Sequence, residues 1–320
     1  MITLSKLAAL AHVSVSTASK AFSMSPEVNE QTREMIFAIA REQGCFRKFF
    51  SAKYPKYVIA VICPEYKSLF YSTALSLLQE YLSKHSCEIC VASTDFSPEK
   101  EADLLEYYSR YASVDGIIVI DGRITPNLHT DIPVATLFSN PGCAGMISVV
   151  GDCTDAVTES LQHFLCQGVR DIGFIGDPYT EAKQRLFARL VDSQFPEAKV
   201  TYRISPQRFE AGGYNAMAHF CTEGHVPRAI FCAYDYMAIG AIRYCWEHGI
   251  PVPEEVAFIG MDDIPENSYL NPPLSSINFN LDKICATAAE AIMKHLADPE
   301  YTLTQRIPAT LHLRNSSRIG

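Results

Sequence analysis

Apolar residues recur at three- and four-residue spacing through the first 44 positions, the mark of short amphipathic helices. Leu4, Leu7, Ala8 and Ala11 form one stripe. Val15, Ala18 and Phe22 form a second, with Ser16, Ser19 and Lys20 on its other side. A third follows Pro26 and carries Ile36, Ile39 and Ala40. Thr3, Ser14 and Asn29 stand where N-caps belong, since a side-chain oxygen there accepts from an otherwise unpaired helix N–H. Three short helices, the first two joined by a tight turn at His12, predict a helix-turn-helix. The second helix of that plan enters the major groove of DNA.

From Tyr57 onward, apolar strands alternate with helical patterns. The strand "YVIAVICP" leads to a helix over Ser72–His85, then "CEICVASTD", a helix over Pro98–Tyr111, "GIIVID", "PVATLFS" and "MISVVGD". After a helix over Thr154–Gln167 a second series opens with "DIGFIGDP". Its parts are a helix over Glu181–Phe195, a strand over Lys199–Ile204, a helix over Phe209–Glu223, "AIFCAYD", a helix over Tyr236–His248 and "VAFIGMDD". A helix over Asp282–Leu296 and one strand over Gln305–Leu313 close the chain. Such alternation predicts parallel sheets covered on both faces. Each series opens on an apolar strand that runs into a proline loop (Cys63-Pro64 and Asp177-Pro178), which supports two like-folded halves.

Charge changes this picture at one end only. The net charge of −9 argues against nucleic acid, yet residues 1–57 carry eight Lys and Arg against four Glu, so the rest carries −13. A basic head on an acidic body fits DNA binding at one end. At 320 residues with 48% apolar content, about two ordinary domains are expected. No apolar run is long enough to span a membrane, and Lys6, His12 and Lys20 interrupt the start against a signal-peptide reading, so a cytoplasmic location is expected. The 11 cysteines, an odd number, suit a reducing compartment. Cys87 and Cys90 form a C-x-x-C without a second pair, which reads as a strand with the two thiols on opposite faces and no metal site.

The run "TLSKLAALAHVSVSTASKAFS" followed by "VNEQTREMI" resembles the opening of lactose-repressor (LacI/GalR) family transcription regulators. The body strings "VDGIIV", "FEAGGYNAM", "AIFCAYDYMAIGAIR", "VPEEVAFIGMDDIP" and "NPPLSSI" extend that resemblance along nearly the whole chain. It implies an α/β chain: a helix-turn-helix head (1–45), a hinge (46–57) and a two-lobed, periplasmic-binding-protein-like body (58–320). The expected N-lobe covers about 58–150 and 281–306, and the C-lobe about 151–280 and 307–320. By the same resemblance Val15, Ser16 and Lys20 read base edges, while Thr3, Ser14, Thr17, Ser19, Ser23, Asn29 and Thr32 position the backbone. His12 stands where the family usually has Gly, in a left-handed position that His tolerates less well. In the family the hinge pushes a Leu into the minor groove. Here that Leu falls at Tyr54, and Phe50 or Tyr54 is the available wedge. The other reading of this stretch is a basic tether that touches phosphates.

Ligands of open α/β sheets bind beyond the C-terminal strand ends. Asp95, Asp235 and Asp262 follow strands there, and Asp152 lies near the first interlobe crossing. Carboxylates of this kind accept hydroxyl hydrogen bonds and so suit a sugar. The resemblance adds Arg185 as an effector-binding guanidinium and Phe70 as the ring that packs on a sugar face. It also places Tyr234 where Asn is common and Ser139 where Arg is frequent. Asp263 reads as structural. No P-loop, G-x-S-x-G or zinc signature is present, so no enzyme, catalytic residue, metal or cofactor is expected. The expected protein is a homodimeric regulator, a repressor by resemblance, that binds double-stranded operator DNA under control of a small molecule, a carbohydrate. Two alternatives stay open: a sugar-binding protein with a vestigial head, and a regulator with a protein co-effector.

Overall fold

A computed structural model describes residues 2–50, 56–122, 130–139 and 146–319. The head is built from α1 (Leu4–Leu10), α2 (Val15–Phe22), α3 (Glu30–Glu42) and a final turn, α4 (Phe46–Phe49). Its caps are those the sequence predicts. Thr3 Oγ1 accepts from Lys6 N at 3.3 Å, Ser14 Oγ from Thr17 N at 3.0 Å and Asn29 Oδ1 from Thr32 N at 2.8 Å. His12 joins α1 to α2 with φ +52°, the left-handed backbone expected of that turn. Leu7, Ala11, Ala21, Phe22, Ile36, Phe37 and Ala40 make the core.

The first lobe comprises β1 (Tyr57–Cys63), α5 (Leu69–Ser83), β2 (Cys87–Ser93), α6 (Pro98–Glu106), β3 (Gly116–Ile120), β4 (Val134–Leu137) and β5 (Ile147–Asp152). A π-helical turn, Tyr107–Tyr111, takes over where a single longer helix was expected. The second lobe holds α7 (Thr154–Cys166), β6 (Asp171–Gly176), α8 (Glu181–Gln194), β7 (Lys199–Ile204), α9 (Phe209–Thr222), β8 (Ala229–Cys232), α10 (Asp235–Glu247), β9 (Ala257–Met261) and β10 (Ser275–Asn278). The chain then returns to the first lobe for α11 (Leu281–Ala297) and β11 (Leu303–Pro308), and ends in the second with β12 (Thr310–His312).

The sheets run β11-β5-β4-β3-β1-β2 and β12-β10-β9-β8-β6-β7. Every pairing is parallel except β12 against β10. The two orders match strand for strand, which is what two like-folded halves require. The strand expected over Gln305–Leu313 is in fact two. Its first part pairs with β5 and its second with β10, because the chain changes lobe at Ala309. Strand faces alternate as they should: Ile59 and Val61 enter the main core, Ala60 and Ile62 the smaller one beside Leu105. Cys87 and Cys90 likewise face opposite cores. In the second lobe α9 and α10 approach so closely that a Cβ on Gly213 would stand 1.8 Å from Met237 O and one on Gly240 1.9 Å from Glu210 O. The "GGY" string is therefore a packing device between two helices.

Candidate functional site

The head presents one polar helix face. Val15, Ser16 and Ser19 are exposed along α2, while Ala18, Ala21 and Phe22 are buried beneath them. Ser14 Oγ also lies 2.8 Å from Thr17 Oγ1, and Ser23 Oγ donates to Lys20 O at 3.1 Å. Lys20 is ion-paired with Glu27, both side chains well exposed to solvent. Thr3 and Asn29 are exposed at the starts of α1 and α3, and Thr32 is half-buried.

The wedge expected at Phe50 needs correction. Phe50 is buried in the head, its ring 5.2 Å from Phe37, 5.0 Å from Phe46 and 6.3 Å from Phe22. A ring held in this core is not free to enter a base step. Tyr54 lies outside the described residues.

Between the lobes lies a cavity of about 260 Å³ at the C-terminal ends of both sheets. Nine aromatic residues line it, together with Asp121, Asp177, Asp262, Lys183 and Arg208. Rings on both walls offer flat apolar faces, and the charged groups are tied to one another. Lys183 Nζ donates to Ala233 O at 2.9 Å and stands 3.5 Å from Asp262 Oδ1. Tyr71 OH donates to Asp121 Oδ2 at 2.8 Å. Tyr234 OH donates to Asp177 Oδ2 at 2.7 Å and accepts from Phe209 N at 2.9 Å. Burial, opposed by Lys183, holds the Asp262 carboxyl above the usual range. Burial above all also raises the phenols of Tyr71 and Tyr234, so both stay protonated donors.

Backbone strain concentrates here. Phe96, Asp121, Phe138, Phe209 and Asp262 all line the cavity with φ between +54° and +108°. Non-glycine residues are held in such conformations only where the surroundings over-determine them, which is common at ligand sites.

Of the residues expected to bind an effector, Phe70, Tyr234 and Asp262 line this cavity. The other four do not. Asp235 is wholly buried behind it and accepts from Ser276 Oγ at 2.6 Å, Asn267 Nδ2 at 2.7 Å and Ile264 N at 2.9 Å. Burial, and after it the charge of Asp262, pushes its pKa up, while the three donors pull it back. Its work is to bind α10 to the segments after β9 and in β10. Arg185 is 72% exposed and pairs with Glu181 at 3.3 Å. Two residues along a helix turn a side chain by about 200°, so Lys183 faces the cavity and Arg185 faces solvent. Asp95 is exposed and pairs with Lys100 at 2.8 Å. Asp152 accepts from Thr154 N at 3.0 Å and meets Arg306 at 3.1 Å, beside the first crossing. Asp263 is structural as expected, held by His312 at 2.7 Å, Arg314 at 2.8 Å and Asn278 at 3.0 Å. Ser139 is half-buried, and its backbone oxygen accepts from Thr136 Oγ1 at 2.9 Å.

Asp121, Asp177, Lys183 and Arg208 went unassigned from sequence. The strand-end rule could have found the first two, since each ends an apolar strand. Among the described residues no cluster of His, Cys, Asp and Glu could hold a metal ion, and no helix is long and apolar enough to cross a membrane.

Residues 161–317 match a periplasmic binding protein-like domain. The probable HTH-type transcriptional repressor ExuR of Bacillus subtilis (strain 168) is 26% identical over 317 residues, covering 94% of this chain and 93% of its own. The lac repressor dimer bound to operator and the anti-inducer ONPF shares the fold with a TM-score of 0.75 at 18% identity, over 99% of both chains. A LacI family transcriptional regulator from Enterococcus faecalis V583 with bound ribose shares it with a TM-score of 0.70 at 22% identity, over 81% of this chain and 98% of that one. These relatives are transcription regulators and not enzymes, in keeping with the missing catalytic motifs. With a named repressor matching 94% of the chain in one alignment, the chain is similar over nearly its whole length to transcription regulators of the lactose-repressor (LacI/GalR) family.

Proposed function

We propose that this protein is a sequence-specific transcriptional repressor that works in the cytoplasm as a homodimer and answers to a small carbohydrate bound between its lobes. One observation carries the reading: an exposed polar helix face in the head and a strained cavity between two lobes stand in one chain. The exposed face of α2 supplies the DNA contacts, with Val15, Ser16 and Lys20 at base edges. Thr3, Ser14, Thr17, Ser19, Ser23, Asn29 and Thr32 act at the backbone or as caps. Val15 and Ser16 are short, so Lys20 and DNA shape carry much of the readout.

In the cavity, Asp121 and Asp262 accept ligand hydroxyls and the rings receive an apolar sugar face. Both resident cations already have carboxylate partners, so a neutral sugar fits better than an acidic one. Ligand binding changes the angle between lobes, and only a difference in affinity between two such states can drive regulation. Two-fold symmetry then implies two operator half-sites.

The test is selection of bound sequences from a random duplex pool with the purified full-length protein, repeated with a panel of neutral sugars. A palindromic motif whose enrichment changes with one sugar supports the reading. Absence of any motif under all conditions refutes it in favour of a vestigial head.

A further inference from the structure

All three chain crossings lie along one edge of the two sheets, at β5, β10, β11 and β12. The opposite edge, at β2 and β7, carries no covalent link among the described residues, yet the lobes meet there. Phe96, after β2, stacks on Tyr179, after β6, with ring centroids 4.4 Å apart and planes 29° apart. Arg208, before α9, lays its guanidinium 4.5 Å from the Phe96 centroid and 5.4 Å from that of Tyr179. Its edge meets a carboxylate from each lobe: Asp177 Oδ2 at 3.6 Å and Glu65 Oε1 at 3.8 Å. Nearby, Leu69 N donates across the cleft to Tyr236 OH at 3.4 Å.

We propose that Arg208 is an interlobe clasp whose planar guanidinium, seated against Phe96 and Tyr179, holds the effector cavity shut before any ligand enters. Three properties fit one another. Stacking uses the face of the guanidinium, and ion pairing uses its edge, so one side chain serves both lobes at once. An ammonium can sit over a ring or meet a carboxylate, but it has no flat face with which to stack on the rings while its edge serves both carboxylates. Phe96 (φ +62°) and Phe209 (φ +59°) hold left-handed backbones on either side, so the surfaces that Arg208 bridges are set by their own loops. The clasp also stands at the cleft edge that a hinge at the crossings opens most widely. Nothing in this proposal depends on the identity of the effector or on DNA.

Hydrogen–deuterium exchange on the full-length protein, without ligand or DNA, tests it. Amides at the clasp are hydrogen-bonded and so report opening: Thr94 to Cys63 O at 2.9 Å in one lobe, Tyr179 to Asp177 Oδ1 at 2.8 Å in the other. In Arg208→Ala both segments, 94–97 and 177–180, should exchange about tenfold faster, as loss of a desolvated cation–π contact implies. Arg208→Lys, which can keep the ion pairs without the flat stack, should fall between the wild type and the alanine variant. Phe96→Ala should speed exchange across the cleft at 177–180, and it keeps the test available if Arg208→Ala fails to fold. Faster exchange confined to residues around 208, or wild-type protection in Arg208→Lys, overturns the proposal. Because no DNA or sugar is present, either result leaves the sequence-selection test of the regulator reading intact.

Discussion

The aromatic cluster of the head and that of the cleft do opposite things. In the head, Phe22, Phe37, Phe46, Phe49 and Phe50 pack on one another at centroid distances of 5.0–6.3 Å. The cation beside them, Arg41, stays at the rim, 4.8 Å from the Phe46 centroid. In the cleft, Phe70, Phe138 and Phe279 meet at 5.1–5.8 Å, yet they surround a void shared with Asp121, Asp262 and Lys183. Ring content alone does not mark a site. Rings that leave space, in the company of buried charge, do.

The largest effect that tests this contrast is in the head. Phe37→Ala removes a ring that touches three others, and truncations of this kind cost about 3–5 kcal/mol. A domain as small as the head has little stability to spare. Operator binding by the full-length protein should therefore be lost at ordinary temperature while the body's thermal unfolding is unchanged. Phe70→Ala should do the reverse: operator binding stays, effector response falls, and the body's stability changes far less. If both variants lose stability alike, the distinction between the clusters is wrong.

A second test compares two carboxylates one layer apart. Asp235 receives three donors and touches no cavity surface. In Asp235→Asn the new amide N–H either faces a donor at the Oδ2 position or makes the Ser276 hydroxyl turn its proton away. A buried group left unpaired in this way costs about 1–3 kcal/mol, which a urea titration of the body should show. Asp262→Asn should instead cost effector affinity. If Asp235→Asn leaves the body as stable as the wild type, this network does not bind the segments together.

Asp262 gives the comparison a pH axis. Its folded carboxyl keeps a proton to higher pH than an unfolded aspartate would. The folded state is therefore favoured at the acid end, and that contribution is lost as pH rises through the raised value. Unfolding free energy should fall from about pH 4 to about pH 7, and Asp262→Asn should flatten part of that slope. Ligand hydroxyls bind the ionised form, so effector affinity should move the other way and rise with pH. Parallel slopes in wild type and variant would assign the titration to other groups.

How much of this was legible before the structure differs between the same two regions. The head's caps and stripes are local patterns, set within four residues of each other, and Thr3, Ser14 and Asn29 cap as read. Alternation alone predicted parallel sheets, while the order of strands within them came only with the structure. The cavity was only partly legible, because a strand end fixes where a residue sits but not where its side chain turns. Asp235 opens α10 and turns inward, and Asp262 one strand away turns toward the void. Lys183 and Arg185 differ by two positions on α8, enough to reverse their exposure. Arg208 gave no signal, since its first-lobe partners, Glu65 and Phe96, lie more than 100 residues before it and only the fold brings them to it.

The smallest expected effect returns to the head, where the reading face is not wholly free. Lys20, the longest side chain proposed at a base edge, is held by Glu27. The pair is exposed, and exposed ion pairs are weak, so DNA can displace Glu27 at little cost. Glu27→Gln removes that competition and one negative charge near the phosphates. Operator affinity should rise roughly two- to threefold, by analogy with other exposed pairs, and the gain should shrink as salt screens it. Lys20→Ala should erase the gain in the double variant, since only a freed Lys20 can produce a sequence-dependent increase. A rise that persists without Lys20 would come from general electrostatics and would remove Lys20 from the proposed readout.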